Sequence, residues 1–358
     1  MVTGAFRVRI LLLCLCCTVW TAAAKEPPRS PRVGLVLSGG GARGAAHIGV
    51  LKVFEKEGIP IDCIAATSFG SLVGGLYSLG YSAGEIEKIM SGQDWDSVFT
   101  DAPQRRLTRL LDRGDARHQV RISFRDWNPE LPTGLLEGQR LTETLDRFIT
   151  DRLLKADYDF DRLPIPFRAV ATNLIDGKTY VFRKGSMTEA LRASMAIPLL
   201  FTPLEKDGML LADGGLTDNL PVDVVLAMGA DIVIAVDVTS PLLPLEELKT
   251  FVNVVDQSIS LQMEKNVNES RKRAHFVLKP ELGNFEGTDF VKLPEIIRRG
   301  EEEARRNLTG LKALVAGIAP RPRTRTVHDG IPLVHSVAIR GLKQIGSRQL
   351  MANVHVSP

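Results

Sequence analysis

Cysteine, aromatic side chains and net charge are all scarce in this chain, and each scarcity excludes something. Four cysteines occur in 358 residues. Three of them, Cys14, Cys16 and Cys17, lie in one apolar N-terminal stretch, which leaves Cys63 alone in the remainder and excludes a disulfide-stapled scaffold. Aromatic residues make up 6% and the formal net charge is +3. No basic stripe interleaved with aromatics is present, so nucleic acid is not an expected partner. The pairs Arg298-Arg299 and Arg305-Arg306 alternate with Glu301, Glu302 and Glu303 and read as a solvated helix face. Beyond the N-terminus no run is apolar enough to span a bilayer, and no repeat of solenoid period occurs. No convincing cluster of metal ligands occurs, so neither metal nor cofactor is expected. The composition, 44% hydrophobic and 24% charged, is ordinary for a globular protein, and the length fits one large α/β domain with a small appendage or two modest domains.

The ends differ from the body. Arg7 and Arg9 precede an apolar run from Ile10 to Trp20, then small residues to Ala24. This is the layout of a secretory signal peptide over residues 1–24, cleaved after Ala24, so the expected destination is the periplasm, the outer membrane or the medium. Residues 25–32, with Pro27, Pro28 and Pro31, read as a linker, and the main domain is expected over 33–318. Within it, Val33–Ser38 reads as a buried strand, Ala45–Glu57 as a helix, Ile61–Thr67 as a second strand, and a helix follows to Leu79. That alternation opens a parallel α/β sheet. Trp95–Pro132 is polar and irregular, a cap or long loop, and its Arg105–Arg117 stretch has no assigned role. Further helices are expected at Gln139–Ile149, Met187–Met195, Val222–Met228, Leu245–Arg273 and Pro294–Leu314. Further strands are expected at Phe167–Asn173, Thr179–Arg183, Met209–Leu211 and Ile232–Val236.

Two features between strands and helices bear on chemistry. Ser38-Gly39-Gly40-Gly41-Ala42-Arg43-Gly44 can turn successive backbone N–H groups toward one point near a helix N-terminus, a nest for an anion or a transient oxyanion. Gly39-x-Gly41-x-x-Gly44 is also the dinucleotide fingerprint. That reading needs an acid at the end of the second strand, where Ser68 stands; Asp62 lies at the other end. Ala66-Thr67-Ser68-Phe69-Gly70 approximates the nucleophile elbow G-x-S-x-G, with Ala66 in place of the first glycine, which demands a negative φ or some strain there. A serine in this context can equally be a helix N-cap. As a base, His47 is placed by its helix register for packing, and His118, His275, His328, His335 and His355 have no compelling setting. Asp213, after the apolar run Met209–Ala212 and before Gly214-Gly215, can be turned into a cleft or can cap a turn.

Together, Gly39-Gly40-Gly41-Ala42-Arg43-Gly44, Thr67-Ser68-Phe69-Gly70 and Asp213-Gly214-Gly215 resemble the three signature blocks of patatin-like phospholipases. Ala193-Ser194-Met195-Ala196-Ile197-Pro198 and Asp218-Asn219-Leu220-Pro221 extend the resemblance across about residues 33–280. It implies a three-layer α/β/α domain with a central, mostly parallel sheet. It also implies a serine acyl hydrolase of the lipase or phospholipase A kind that acts on membrane or micellar lipid in peripheral contact with it. Ser68 would be the nucleophile and Asp213 the base. Gly39, Gly40 and Gly41 with Arg43 would form the oxyanion hole, supported by Gly44, Gly70, Gly214 and Gly215. No cofactor is implied. After the Pro/Arg linker at residues 319–325, Val334–Leu342 resembles the opening of a POTRA module. If the chain is truncated there, an outer-membrane barrel would be a further partner.

Overall fold

Residues 30–99, 123–125, 128–130 and 134–319 are described by the computed structural model. Eight strands make its main sheet: β1 (Val33–Leu37), β2 (Cys63–Thr67), β3 (Phe167–Asn173), β4 (Lys178–Phe182), β5 (Leu204–Lys206), β6 (Met209–Asp213), β7 (Ile232–Val236) and β8 (Phe276–Leu278). Their order is β8-β7-β1-β2-β3-β6-β5, with β4 beside β3. The first five in that order run parallel; β4 and β6 are antiparallel to β3, and β5 to β6. The sheet is mostly parallel, as expected.

Strand side chains alternate faces, and the alternation here divides two cores. Leu35, Leu37, Ile64, Ala66, Ile234 and Val236 point into the larger one. It is closed by helices α1 (Ala46–Glu57), α2 (Ser68–Ser78), α3 (Ala83–Ser91), α4 (Gln139–Leu154) and α5 (Met187–Ser194). Val36, Cys63, Ala65, Val233 and Ala235 point the other way, against α6 (Val222–Ala227) and α7 (Phe251–Arg273). Apolar on both faces, β1, β2 and β7 read as continuous hydrophobic runs, as buried parallel strands do. The result is three layers, α/β/α.

A further helix, α8 (Leu293–Arg306), lies on α1 with backbone against backbone. A Cβ at Gly49 would stand 2.0 Å from Ile297 O, and one at Gly300 would stand 1.9 Å from Ala46 O. Two glycines, one on each helix, therefore set that approach.

Several boundaries move from their expected places. The helix expected from Leu245 begins at Phe251, and Leu245–Glu247 is one 3₁₀ turn, because Pro241 and Pro244 hold the preceding chain extended. Pro294–Leu314 divides at Asn307 into α8 and Leu308–Leu314. Helix α3 was not expected. Its signal is the capping box in which Ser82 Oγ accepts from Glu85 N–H while Glu85 Oε2 accepts from Ser82 N–H. In the segment read as irregular, Trp95–Val98 makes one helical turn, and Ser123–Arg125 pairs with Asn128–Glu130. Residues 1–29, most of 100–133 and 320–358 lie outside the described residues, and with them the signal-peptide, most of the linker, the Arg105–Arg117 and the POTRA readings. Among the described residues no helix is long and apolar enough to cross a membrane.

Candidate active site

The site exists because two strands end against each other. β4 occupies one edge of β3 along Ala169–Asn173. On the opposite edge β2 runs parallel as far as Thr67↔Val170, and β6 comes down antiparallel to Asp213↔Ala171. The C-terminal ends of β2 and β6 thus meet at neighbouring rungs of the same edge. The residue after β2 is Ser68, and the last of β6 is Asp213.

Ser68 turns the chain sharply, at φ 52°, a left-handed value uncommon for a side-chain-bearing residue. Strain of this kind costs roughly 1–3 kcal/mol and persists only where the surroundings hold it. Those surroundings are specific. Ser68 N–H donates to Ser194 Oγ at 2.9 Å, and Ser194 Oγ donates onward to Val170 O at 2.5 Å. Ser71 Oγ donates to Ser68 O at 2.6 Å. Ala66 sits in regular strand pairing and takes the negative φ that an alanine there demands, so the strained residue of the turn is the serine itself. Gly70 lets α2 approach β1: a Cβ there would lie 2.4 Å from Ser38 O. With the backbone fixed this way, Ser68 Oγ donates to Asp213 Oδ2 at 2.6 Å, and both residues are buried.

Asp213 is held as firmly. Its N–H donates to Ala196 O, and its Oδ1 accepts from Gly215 N–H at 2.7 Å. Gly214 passes Val170 O at a distance no side chain would allow, 2.3 Å for a Cβ. Burial pushes the Asp213 carboxyl up to about 6, against the opposing pull of the Ser68 and Gly215 hydrogen bonds. The carboxylate is therefore a stronger base than one in water. Because the base must be unprotonated, kcat/KM for ester hydrolysis should rise about tenfold per pH unit below a midpoint near 6 and level above it. Asp218 also stands high, at about 7, from burial and from Asp223, opposed by Arg273. The pH profile should therefore be repeated on Asp218→Asn. Loss of the acid limb there would assign it to Asp218 and sink the assignment to Asp213.

The glycine turn lies beside the serine. Gly39 N–H is already taken, donating to Asn219 Oδ1 at 3.2 Å, and its missing side chain makes room for Ser68 Cβ. Gly40 and Gly41 N–H have no acceptor among the described residues. Gly41 is at φ 55° and faces Gly287 O, 2.4 Å from where a Cβ would be. Gly44 admits the Phe69 ring, 2.7 Å from a Cβ there. Arg43 is buried. Its guanidinium donates to Val238 O at 3.0 Å and Phe285 O at 2.7 Å, tying the turn to the chain beyond β7 and before α8. These contacts brace the glycine turn.

Other candidates fall elsewhere. His47 is fully buried with Nε2 2.8 Å from Ser38 O, and burial lowers it to about 4. His275 Nδ1 accepts from Val233 N–H at the sheet edge. Asp62 caps the start of β1 through Val33 N–H, far from the glycine turn. Among the described residues no group of His, Cys, Asp and Glu could hold a metal ion. Two contributors had no role assigned from sequence. Ser194 holds the elbow. Asn219 accepts from Gly39 and donates to Thr239 Oγ1 at 3.1 Å. Both stood in stretches flagged only by resemblance, since hydrogen bonds between residues more than a hundred positions apart leave no local pattern.

Comparison with known proteins finds relatives of this chain. The chain is 37% identical over 208 residues to an uncharacterized NTE family protein of Mycobacterium tuberculosis, covering 58% of this chain and 49% of that one. It is 34% identical over 210 residues to patatin-like phospholipase domain-containing protein 6 of Homo sapiens, covering 58% and 13%. It is 37% identical over 211 residues to lysophospholipase NTE1 of Mycosarcoma maydis, covering 58% and 10%. The chain thus spans about half or less of these curated relatives. Among solved structures, VipD from Legionella pneumophila aligns over 79% of this chain and 67% of its own, at 14% identity and a TM-score of 0.44. The model of patatin-like phospholipases matches residues 35–226. That stretch opens within β1, closes within α6 and is more than half the chain; it takes in the glycine turn, Ser68 and Asp213 together, and the protein belongs to the patatin-like phospholipase family.

Proposed function

We propose that this protein is a serine acyl hydrolase that cleaves ester bonds of phospholipids or other acyl lipids through a Ser68–Asp213 dyad. The observation that carries the reading is the 2.6 Å hydrogen bond from Ser68 Oγ to Asp213 Oδ2 at the end of a strained turn. Ser68 Oγ attacks the ester carbonyl carbon while Asp213 Oδ2 takes its proton. Negative charge gathers on the former carbonyl oxygen, where Gly40 and Gly41 N–H can donate to it; loss of such a donor typically costs about 10²–10³ in rate. The tetrahedral intermediate collapses, the alcohol leaves with the proton from Asp213, and the acyl group stays on Ser68. Water then attacks the acyl-enzyme, Asp213 takes its proton, and the fatty acid departs as Ser68 recovers its hydrogen. The relative named a lysophospholipase and the family's name support a lipid substrate. The signal-like N-terminus and the Val334–Leu342 resemblance support a place outside the cytoplasm, beside an outer-membrane barrel if the chain continues.

A fluorophosphonate probe tests the nucleophile. Adduct mass should map to the peptide bearing Ser68, with free fatty acid released from phospholipid micelles by unlabelled protein. A folded protein that neither labels nor releases fatty acid would instead be a lipid- or partner-binding domain that has kept the fold.

A further inference from the structure

Two stretches near the site contain no charged residue in a chain that is 24% charged. One is the eleven residues from Ser194 to Leu204, the other the eight from Val238 to Leu245. Each is rooted on a different half of the site. The first begins with Ser194 on Ser68 N–H and continues through Ala196 O on Asp213 N–H. The second begins with Val238 O on Arg43 and Thr239 Oγ1 on Asn219.

Both then put large apolar side chains into solvent. Ile197 is 39% and Leu199 51% exposed on the first, Leu242 40% and Leu245 80% on the second. Leu135, 49% exposed, lies on the short strand that pairs Gly134 with Leu199 and Leu136 with Phe201. Single exposed leucines are common on soluble proteins. These belong to two loops rooted on the two halves of one site, and Leu199 is held at φ 69°, in the left-handed region. Non-glycine residues persist in that region where the surrounding structure over-determines them, and such residues cluster at functional sites. Pro198, Pro203, Pro241 and Pro244 stiffen the two loops, so little chain freedom is left to lose on contact.

We infer that these two loops form an apolar mouth that enters the hydrocarbon of an uncharged lipid surface and delivers acyl chains to the site on which both are rooted. The inference rests on the lipid-hydrolase reading and adds where and how the protein meets its substrate phase. With no charge on either loop, attachment gains nothing from anionic head groups through this face, and added salt does not weaken it.

The test uses the chain from Lys25, which keeps every described residue, with Ser68→Ala so that binding is read without hydrolysis. Co-sedimentation with phosphatidylcholine vesicles is compared before and after Ile197→Ser, Leu199→Ser, Leu242→Ser and Leu245→Ser are combined, with thermal melts verifying that the combination folds. The expected result is a partition coefficient reduced at least about tenfold, since each leucine withdrawn from hydrocarbon weakens attachment. Partition of the parent should be unchanged between low and high salt. No binding by the parent, equal binding by the folded combination, or loss of binding in salt would each overturn the mouth. None of these bears on the fluorophosphonate result, so hydrolysis and surface docking fail separately.

Discussion

Asp213→Asn should lower kcat/KM for ester hydrolysis by about 10²–10⁴, the range of a general base, and at the same time make the protein more stable. Asparagine keeps an oxygen for Gly215 N–H and offers Ser68 Oγ an N–H in place of a carboxylate, so the hydrogen bond between the two residues is kept with its direction reversed. What it removes is a charge that burial opposes. In the folded protein this carboxyl stands at about 6, above its ordinary value of 3.8. The folded state therefore binds the proton more tightly than the unfolded state, and stability declines as pH rises from about 4 to 6, then stays lower. Two pH units correspond to about 3 kcal/mol. The asparagine variant should accordingly gain a few kcal/mol in urea at pH 8 and show no advantage near pH 4. A variant that is less stable at both pH values, or that keeps its activity, would remove Asp213 from the role of strained base.

The second large effect is one of packing. Gly300→Ala and Gly49→Ala replace glycine inside helices, where the intrinsic preference favours alanine by about 1 kcal/mol. At these two positions the sign reverses. The new methyl meets Ala46 O or Ile297 O near 2 Å, and a carbonyl of a neighbouring helix cannot rotate aside as a side chain could. Overpacked cores lose about 1–3 kcal/mol, and backbone against backbone belongs at the upper end. Gly84 is the control. It lies in α3 with nothing within 4 Å of its would-be Cβ, so Gly84→Ala should stabilise by a few tenths to 1 kcal/mol. Urea midpoints moving down for Gly49 and Gly300 and up for Gly84 would verify the α1–α8 contact; equal shifts at all three would refute it.

How much of this could be read in advance follows from where each signal resides. β1, β2 and β3 are buried over their whole length and β7 over all but Ile232, so composition marks them. The glycine turn, Ser68 and Asp213 announce themselves because each needs small neighbours in fixed positions. β5 and β8 have three residues each and borrow their conformation from β6 and β7, so no local period exists to find. Helix α3 was legible in Ser82 and Glu85 and was passed over. The positive φ of Ser68 and the engagement of Gly39 by Asn219 are tertiary facts. They depend on strands brought together from distant parts of the chain, and the motif alone spoke only of Ala66, which takes the negative φ it demands.

The head-to-head ending of β2 and β6 on one edge of β3 also bears on how this architecture tolerates change. Nucleophile and base stand 145 positions apart and are registered by ladder pairing with β3, which with Ser194 is the part of the intervening chain that holds the site, while the loops joining these elements are connection. Lengthening that connection costs loop entropy alone, about 0.6 kcal/mol per doubling. A descendant of this fold can therefore be fitted with a new cap by insertion between Ser68 and Asp213 while the two reacting groups keep their spacing.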